Sequence, residues 1–382
     1  MTAVAVHQIL PSLHVADASG AHTLHARDAL RAAGFASEVF VEHVDQALAA
    51  EARHVDELDA HVVPNRTVLL YQLAVGSPVV DRLLQRPEPL VVNYHNLTPA
   101  SFFWRWAPDW LDAVASGREQ LHRLAPRVVH AIAVSRFNER DLLAAGYRST
   151  SVVPPFVDVG AASPDARRQP ADRSTDGTKG PAPRSHDPGG TRWLFVGKLL
   201  PHKAAHDVVK ALAAYRRAYD PAASLVLAGG HPVASYAAAV EGYARALGLD
   251  DAVRLAGSVS SEELEDLYAT ADVFVCLSNH EGFCFPVLEA MARRLPVVAY
   301  DAGAVADTVG GAGIVLSDKA PGRVAAAVRR VHDDGALRAR LLAAGLDRLA
   351  AFDLERTKAR FVAEVRHAVD RLDAPATERR VS

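Results

Sequence analysis

Cysteine and long apolar runs are both scarce in this chain of 382 residues. Cys276 and Cys284 are its two cysteines, which excludes the disulfide framework of a small secreted domain and fits buried thiols in a reducing compartment. No run approaches the roughly 18 apolar residues that a membrane span needs. Residues 1–7 place no Lys or Arg before an apolar stretch, so a signal peptide is not expected. The sequence predicts a cytoplasmic protein, and peripheral contact with the inner face of the plasma membrane stays open.

A strong net charge is also missing. The formal net charge of -3 at pH 7 provides no basic field for a polyanion, so nucleic-acid binding is not expected. Hydrophobic residues make up 49% and charged residues 23% of the chain, which is close to globular usage and excludes wholesale disorder. The length exceeds that of one core, so two domains of about 150 to 190 residues are expected.

Short runs rich in Val, Ile and Leu alternate with longer amphipathic stretches, as in parallel strands joined by crossover helices. The strands predicted in the first half lie near 3–10, 37–41, 67–72, 89–94, 128–134 and 151–153, and the helices near 20–33, 101–124 and 136–145. The strands predicted in the second half lie near 192–197, 223–228, 252–256, 272–277 and 296–300, and the helices near 203–219, 232–247, 261–269 and 286–294. The predicted fold class is α/β, with two facing Rossmann-like domains and a ligand cleft between them.

Composition also marks the domain boundaries. Segment 160–191 is rich in Pro, Gly, Asp and Arg, so it is predicted to be a flexible linker or insertion. It separates an N-terminal domain at 1–159 from a C-terminal domain at 192–352. A helix and a polar tail at 353–382 complete the chain and could cross back to the first domain.

The clearest chemical pattern is segment 278–289, which reads Ser-Asn-His-Glu-Gly-Phe-Cys-Phe-Pro-Val-Leu-Glu and leads from a predicted strand into a helix. Pro286 suits the first turn of this helix, because its missing N–H would have been unpaired there. The amides just before it would point outward from the positive helix end, which suits a phosphate. Glu281 could accept hydrogen bonds from sugar hydroxyls, and Glu289 from a ribose. An isolated pair of glutamates like this one is more often an ordinary loop carboxylate and a buried helix partner.

A cationic counterpart follows the strand predicted at 192–197. Lys198 and Lys203 lie just beyond this strand and could stabilise the negative charge on a departing nucleoside diphosphate. Two solvated lysines are the alternative, but a cation at a helix start opposes the dipole and gains nothing unless an anion binds. No cluster of His, Cys and carboxylates with metal-ligand spacing is evident in the sequence, so neither a metal nor another cofactor is expected.

These motifs resemble family 4 of the retaining glycosyltransferases, whose GT-B fold consists of two facing Rossmann-like domains. Segment 196–203 is similar to the family's stretch of glycine, basic residue and lysine, and Glu281 and Glu289 match its two glutamates separated by seven residues. Segment 17–20 resembles the N-terminal glycine loop of the family. Segment 94–99, Tyr-His-Asn-Leu-Thr-Pro, resembles a His motif of a bacterial subgroup that includes mannosyltransferase-like proteins.

The resemblance implies a role for each matching position. The positions implied to bind the donor are Gly20, Lys198, Lys203, Val259, Phe283, Cys284, Phe285 and Glu289. The positions implied to take part in catalysis are His95, Lys203 and Glu281. Glu281 would orient the transferred sugar, and Val259 would contact the nucleobase through its backbone. For His95, contact with a substrate and simple packing stay open as alternatives.

The implied activity is transfer of a hexose, mannose in the subgroup named, from a nucleotide-diphosphate sugar, with the anomeric configuration kept. The expected partners are this donor and a saccharide or lipid-linked acceptor, as in polysaccharide biosynthesis, and domain 1–159 would lie on the acceptor side. Two alternatives stay open: a nucleotide-sugar epimerase of the same fold, and a non-catalytic sugar-binding or scaffold protein. Trp104, Trp106 and Trp110 could form a patch that faces sugar or lipid, but aromatic residues at helical spacing more often belong to the core.

Overall fold

The computed structural model describes residues 4–15, 17–158 and 189–373. The chain divides into two compact units. Unit 1 combines the N-terminal part, up to Asp158, with the C-terminal part from Phe352 onward, and unit 2 contains the residues between them. Positions 160–188 of the predicted linker lie outside the described residues, as does the tail 374–382. Among the described residues, no helix is both long enough and apolar enough to cross a bilayer.

A parallel sheet of seven strands forms the centre of unit 1. Its strands are β1 (Ala5–Leu13), β2 (Val39–Val44), β3 (Arg53–His54), β4 (Thr67–Leu73), β5 (Leu90–Tyr94), β6 (Val128–Ala133) and β7 (Thr150–Val152). They lie in the order β3-β2-β1-β4-β5-β6-β7. The α-helices of this unit are α1 (Ala18–Ala32), α2 (Leu58–His61), α3 (Val79–Gln85), α4 (Leu111–Leu124), α5 (Arg136–Ala144) and α13 (Leu354–Asp373).

The central strand β4 shows why this sheet is covered on both faces. All seven of its residues are buried. Successive side chains of a strand point to opposite faces, so Leu69 and Tyr71 join one apolar core and Val68 and Leu70 join another. The second core contains Phe361 of α13, which places the C-terminal helix of the chain against the N-terminal sheet.

A parallel sheet of six strands forms the centre of unit 2. Its strands are β8 (Arg192–Val196), β9 (Ser224–Ala228), β10 (Val253–Gly257), β11 (Val273–Cys276), β12 (Val297–Tyr300) and β13 (Ile314–Leu316). They lie in the order β10-β9-β8-β11-β12-β13. The α-helices are α6 (Ala205–Ala218), α7 (Ala234–Ala246), α8 (Ser261–Thr270), α9 (Phe285–Ala292), α10 (Val305–Val309), α11 (Pro321–Asp333) and α12 (Gly335–Leu349).

Each sheet has one point at which the strand order reverses. In unit 1 this point lies between β1 and β4, and in unit 2 it lies between β8 and β11. The loops that follow these two strands lead to opposite faces of the sheet and leave a crevice at the carboxyl ends of the strands. Ligands of open α/β sheets bind in such crevices, so the loops after β8 and β11 are the first place to examine in unit 2.

The prediction of two Rossmann-like α/β domains is confirmed, and the differences are local. The single helix predicted at 101–124 is wrong over its first ten residues, because α4 starts at Leu111 and two 3₁₀ turns precede it. Pro108 lies inside the predicted span, where it lacks an N–H and would clash with the preceding turn. Five short strands and α-helices were not predicted, namely β3, α2, α3, α10 and β13.

Candidate active site

Segment 277–284 connects β11 to α9 and carries the motif on which the sequence analysis relied. Cys284 immediately precedes α9 and has a left-handed backbone, with φ +76° and ψ 66°. This conformation costs a non-glycine residue about 1 to 2 kcal/mol, and such strain concentrates at functional sites. Pro286 lies in the first turn of α9, as predicted. The chain therefore makes a sharp turn directly in front of the positive end of the helix.

Glu281 is held inside this turn, and its side chain is only 6% exposed. Lys203 Nζ donates to Oε1 and to Oε2 of Glu281, at 2.8 Å in each case. Ser278 Oγ donates to Oε1 at 2.7 Å. The Glu281 carbonyl accepts from the amide of Ala304 at 2.9 Å. A buried carboxylate is stable only when it is paired and hydrogen-bonded, and Glu281 meets both conditions.

Lys203 reaches Glu281 from the neighbouring strand. It ends the 3₁₀ turn Pro201–Lys203 that follows β8, and β8 pairs directly with β11. Burial is the largest single effect on the pKa of Lys203 and lowers it, but attraction to Glu281, the hydrogen bonds to it and the two nearby cysteines together raise the pKa above its ordinary value. The amide of Asn279 donates to the carbonyl of His202 at 2.7 Å, which ties the two loops together. A cation and a carboxylate thus meet at the switch point of the sheet.

Lys198, the other predicted diphosphate ligand, lies two residues beyond the end of β8 and is exposed. The preceding Gly197 has a φ of +154° and packs tightly against the loop after β9, because a Cβ on Gly229 would lie 2.1 Å from the Gly197 carbonyl oxygen. The loops after β8 and β9 are therefore in close contact at the same edge of the sheet. Lys198 and Lys203 both project from the loop that follows β8.

Glu289 lies in α9 and is oriented by a residue that the sequence analysis did not identify. Its Oε2 accepts a hydrogen bond from the Tyr268 hydroxyl at 2.7 Å. Tyr268 is 1% exposed, and burial together with the charge of Glu289 raises the pKa of its phenol well above the ordinary value. The phenol therefore stays protonated and donates to Glu289. In the sequence, Tyr268 looked like any aromatic residue on the buried face of a helix.

Of the predicted positions Phe283, Cys284 and Phe285, the first two have buried side chains. Phe283 and Cys284 are each 6% exposed, and the rings of Phe283 and Phe285 contact edge to face with centroids 5.2 Å apart. Thr308 Oγ1 donates to the carbonyl of Phe283 at 2.5 Å and fixes this peptide from below. The arrangement suits an anion that approaches the backbone amides at the start of α9.

Val259 follows the edge strand β10 and precedes Ser260, which caps α8 by accepting from the amide of Glu263. The loop that carries it is connected to the loop after β9, because the Gly229 amide donates to the Gly257 carbonyl at 2.8 Å. Val259 is half-buried at the same carboxyl edge of the sheet as Lys198. The role implied for its backbone stays a prediction.

His95 follows β5 in unit 1 and belongs to a buried polar network. Its Nε2 lies 2.7 Å from Oε1 of Gln72, an atom that can only accept, so Nε2 carries the proton and Nδ1 is the acceptor. Burial lowers the pKa of His95 to about 4, so the ring is neutral near pH 7. Asn138 Nδ2 donates to its backbone carbonyl at 3.2 Å. Gln72 is a second residue that the sequence analysis missed, because nothing distinguishes it from other strand residues.

Gly20 lies in the first turn of α1, next to the switch point of unit 1. Its amide donates to the side chain of Asp17 at 3.1 Å, and this contact caps the helix. A Cβ at this position would lie 2.8 Å from Cδ1 of Leu13, so close packing already explains the glycine. The donor contact implied for Gly20 stays a prediction.

One group of possible metal ligands was also missed in the sequence. One ligand atom each from Cys276, Glu281 and Cys284 lies within 4.8 Å of the others, and all three residues are buried. The three residues lie at a strand end, in a loop and directly before a helix, within nine positions of the sequence. This spacing does not match an ordinary metal-binding motif. The ammonium of Lys203 already occupies both oxygens of Glu281, and a metal cation beside it would be repelled.

The aromatic residues around Trp104 are divided between core and surface. Phe103 is 3% exposed, whereas Trp104 is 67% exposed and Trp110 is 37% exposed. The guanidinium of Arg105 lies 5.3 Å from the ring centroid of Trp106. Core packing therefore does not account for Trp104, and a surface role stays a prediction.

Several known proteins are similar to this chain. A family model described as "Glycosyl transferases group 1" matches residues 181–348, the region that contains both lysines and both glutamates. D-inositol 3-phosphate glycosyltransferase of Kineococcus radiotolerans is 34% identical over 324 residues, which cover 80% of this chain and 71% of that protein. The chain belongs to the glycosyl transferases of group 1. The resemblance to family 4 inferred from the sequence is thereby confirmed.

A further relative and two solved structures are similar to this group 1 glycosyltransferase. GDP-mannose-dependent alpha-(1-6)-phosphatidylinositol monomannoside mannosyltransferase of Mycobacterium tuberculosis is 34% identical over 150 residues, 37% of this chain and 38% of that protein. Sucrose-phosphate synthase of Thermosynechococcus elongatus superposes with a TM-score of 0.71 at 19% identity, covering 95% of this chain and 98% of that chain. Anabaena HepE, solved with UDP and glucose, gives 0.69 at 17% identity, covering 94% and 98%. These likenesses confirm the GT-B fold.

Proposed function

We propose that this group 1 glycosyltransferase transfers a hexose, with mannose the first candidate, from a nucleotide-diphosphate sugar bound in unit 2 to a hydroxyl of a saccharide or lipid-linked acceptor. The observation that carries the proposal is the Lys203–Glu281 pair at the switch point between β8 and β11, in front of the start of α9. The Mycobacterium tuberculosis relative is named as GDP-mannose-dependent, and HepE was solved with UDP and glucose. Both names support a nucleotide-sugar donor.

The charges of the site suit a diphosphate that becomes a leaving group. Lys203 and Lys198 follow the same strand, and the amides at the start of α9 add the positive end of a helix dipole. The two carboxylates cannot face the phosphates, because like charges repel, so they suit uncharged hydroxyls. Glu281 would then take hydroxyls of the transferred sugar, and Glu289, oriented by Tyr268, would take those of the ribose.

The proposed reaction keeps the anomeric configuration. The bond between the anomeric carbon and the phosphate oxygen breaks while the acceptor oxygen bonds to the same face of the carbon, and the proton of the acceptor hydroxyl passes to the leaving phosphate. Lys203 stabilises the growing charge on that phosphate electrostatically. Glu281 holds the ammonium of Lys203 in place before the donor arrives, which reduces the reorganisation needed in the transition state. Neutral His95 would accept a hydrogen bond from a substrate hydroxyl at Nδ1.

We propose further that no metal ion takes part. Lys203 keeps its ammonium, because its pKa is raised by Glu281, and it supplies the positive charge that a divalent cation would otherwise bring to the leaving group. A chelator control decides this point. Activity that is unchanged after dialysis against EDTA supports the proposal, and activity that returns only when a divalent cation is added contradicts it.

The decisive experiment is a binding screen with UDP-, GDP-, ADP- and TDP-sugars, followed by thermal unfolding of the full-length protein. A ligand that binds only the folded state raises the midpoint in proportion to the logarithm of its concentration. We expect one nucleotide to stabilise the wild type and to have at least tenfold lower affinity for Lys203→Met. Lys358→Met, on the surface of α13, is the matched control. No stabilisation by any of the four donors at millimolar concentration would overturn the donor-site proposal.

Two other functions are separated by product analysis. A nucleotide-sugar epimerase turns the donor over without an acceptor, whereas a transferase under these conditions produces at most slow hydrolysis. A sugar-binding or scaffold protein would keep its cellular function in folded Lys203→Ala and Glu281→Ala variants. Loss of cellular function in both variants, with unfolding still cooperative, is the result expected of an enzyme.

A further inference from the structure

The two cysteines of the chain meet beneath the proposed donor site. Cys276 is the last residue of β11, and Cys284 is the residue before α9. Their Sγ atoms are 3.7 Å apart. The two residues are 2% and 6% exposed, so they face each other inside the unit rather than at its surface. Since the whole chain contains only two cysteines, they are also its only thiols.

This thiol pair is connected to the residues proposed to hold the donor. Cys276 Sγ lies 3.5 Å from Oγ of Ser278, and Ser278 donates to Glu281, which in turn accepts from Lys203. The pKa of the Cys276 thiol is lowered, chiefly because the S–H of Cys284 donates a hydrogen bond to it. A thiol that gives up its proton more readily supplies more of the reactive thiolate. Cys276 is therefore the residue that reacts first.

We propose that Cys276 and Cys284 are a modification site, at which a small peroxide oxidant forms an intramolecular disulfide that disables the donor site of unit 2. The loss of donor binding rests on the proposed function, whereas the formation of the disulfide does not. We take hydrogen peroxide as the co-substrate, because residues that are only 2% and 6% exposed leave no room for a bulky disulfide oxidant.

The reaction proceeds in two balanced steps. The Cys276 thiolate attacks one oxygen of the peroxide, the O–O bond breaks, and the products are a sulfenic acid on Cys276 and a hydroxide that takes up a proton to become water. The Cys284 thiolate then attacks the Cys276 sulfur, forms the S–S bond and expels a second hydroxide, which is also protonated to water. Two thiols lose two protons and two electrons in total, and one peroxide is reduced to two molecules of water.

The disulfide changes the geometry of the loop that carries Glu281. An S–S bond is about 2.05 Å long, so the sulfurs must move closer from their separation of 3.7 Å. Cys284 already has a left-handed backbone and directly precedes the amides of α9, so a shift of this residue moves the proposed phosphate contacts. A misplacement of about 1 Å in a preorganised site can lower its activity about 100-fold. We expect nucleotide affinity to fall at least tenfold.

The test begins with the reduced full-length protein, treated with hydrogen peroxide at neutral pH and then denatured in an alkylating reagent. Alkylatable thiols should fall from two to none, and mass spectrometry should find the peptides of Cys276 and Cys284 linked, with the loss of two hydrogen atoms. Thiols that remain free, or that are converted separately to sulfinic acids, overturn the proposal. This readout does not depend on any activity.

The second readout is the affinity for UDP, GDP, ADP and TDP before oxidation, after oxidation and after re-reduction with dithiothreitol. Affinity that falls at least tenfold on oxidation and returns on reduction supports the proposal, and affinity that is unchanged in the linked protein overturns it. Cys276→Ala is the control, because it removes the reacting thiol and leaves the donor-binding backbone intact. It should bind nucleotide as the reduced wild type does and be insensitive to peroxide. Reduced protein that binds none of the four nucleotides contradicts the proposed function instead, and the thiol count still decides whether the disulfide forms.

Discussion

Lys203 Nζ donates to both carboxylate oxygens of Glu281 at 2.8 Å, although 78 positions separate the two residues in the chain. The Glu281 side chain is 6% exposed and that of Lys203 is 22% exposed, so water screens this ion pair only weakly. Removal of one partner leaves a buried charge without compensation, whereas removal of both charges together is much less costly. This asymmetry separates the contribution of the pair to stability from its contribution to donor binding.

Lys203→Met should lower the free energy of unfolding by about 3 kcal/mol, because it leaves Glu281 charged and buried. Adding Glu281→Gln to this variant should restore part of the loss, since the double variant buries no unpaired charge. Nucleotide affinity should stay low in both variants, because neither has the ammonium. Urea denaturation and isothermal calorimetry measure the two quantities. A double variant that is less stable than Lys203→Met would show that the pair does not behave as a coupled unit.

The ion pair also marks what the sequence could and could not predict. Lys203 and Glu281 were both selected, because each follows an apolar strand and such local patterns are visible in the chain. Their direct contact was not predicted, since it depends on β8 and β11 being neighbours, and strand order is a property of the whole sheet. Tyr268 and Gln72 were missed for a similar reason, because their partners come from other elements.

Short elements escaped prediction for a different reason. Strand β13 has three residues and α2 has four, so neither contains enough residues to show a periodicity of two or of 3.6. The helix that was predicted across Pro108 shows the opposite error, in which amphipathic spacing was given more weight than the missing N–H of proline. Long buried strands such as β4 were located within a residue or two, because their apolar runs are continuous.

Gly303→Ala should disable the site, although the sequence analysis selected no site residue in the loop that contains Gly303. Gly303 has a φ of +62°, and a Cβ there would lie 2.2 Å from the carbonyl oxygen of Glu281, which is backbone and cannot move aside easily. Gly311→Ala is the matched control, because Gly311 has a φ of +83° with no atom within 4 Å of its Cβ position. The control should cost about 1 kcal/mol from its backbone alone and keep full activity.

We expect Gly303→Ala to cost at least about 2 kcal/mol more than this control and to lose most of its activity, because the alanine pushes on the peptide that positions Glu281. Chemical denaturation and initial rates with the donor identified in the binding screen measure both effects. Equal activities of the two variants would show that the position of the Glu281 peptide is not critical.

Tyr268→Phe should weaken donor binding through Glu289. The variant removes the hydroxyl that donates to Glu289 Oε2 at 2.7 Å and leaves the ring in place. A hydrogen bond to a charged group contributes about 1.5 to 3 kcal/mol, so donor affinity should fall at least about fivefold. Tyr215→Phe is the control, because Tyr215 is fully buried and its hydroxyl contacts Thr191, away from the two glutamates. Equal donor affinities in the two variants would show that the Tyr268 hydroxyl does not support donor binding through Glu289.

His95 provides a prediction about pH. Its folded-state pKa is about 4, below the ordinary value of 6.5, because burial disfavours the charged ring. Between these two pH values the unfolded chain binds a proton at His95 that the folded chain does not bind. The stability that neutral His95 contributes is therefore fully present above pH 6.5 and is lost as the pH falls towards 4. The slope from one such histidine is at most about 1.4 kcal/mol per pH unit.

His95→Gln should therefore reduce the acid dependence of the unfolding free energy without abolishing it, because burial also lowers the pKa of His22 well below its usual range.

Gln72→Glu should act in the opposite direction on an intact His95. A carboxylate would replace the amide oxygen 2.7 Å from Nε2, favour the charged ring and raise the pKa of His95. If neutral His95 accepts a hydrogen bond from substrate, the acid limb of kcat/KM should move to higher pH in Gln72→Glu, by one pH unit or more. An acid limb that stays in place, while direct titration of His95 shows the raised pKa, would mean that His95 only packs.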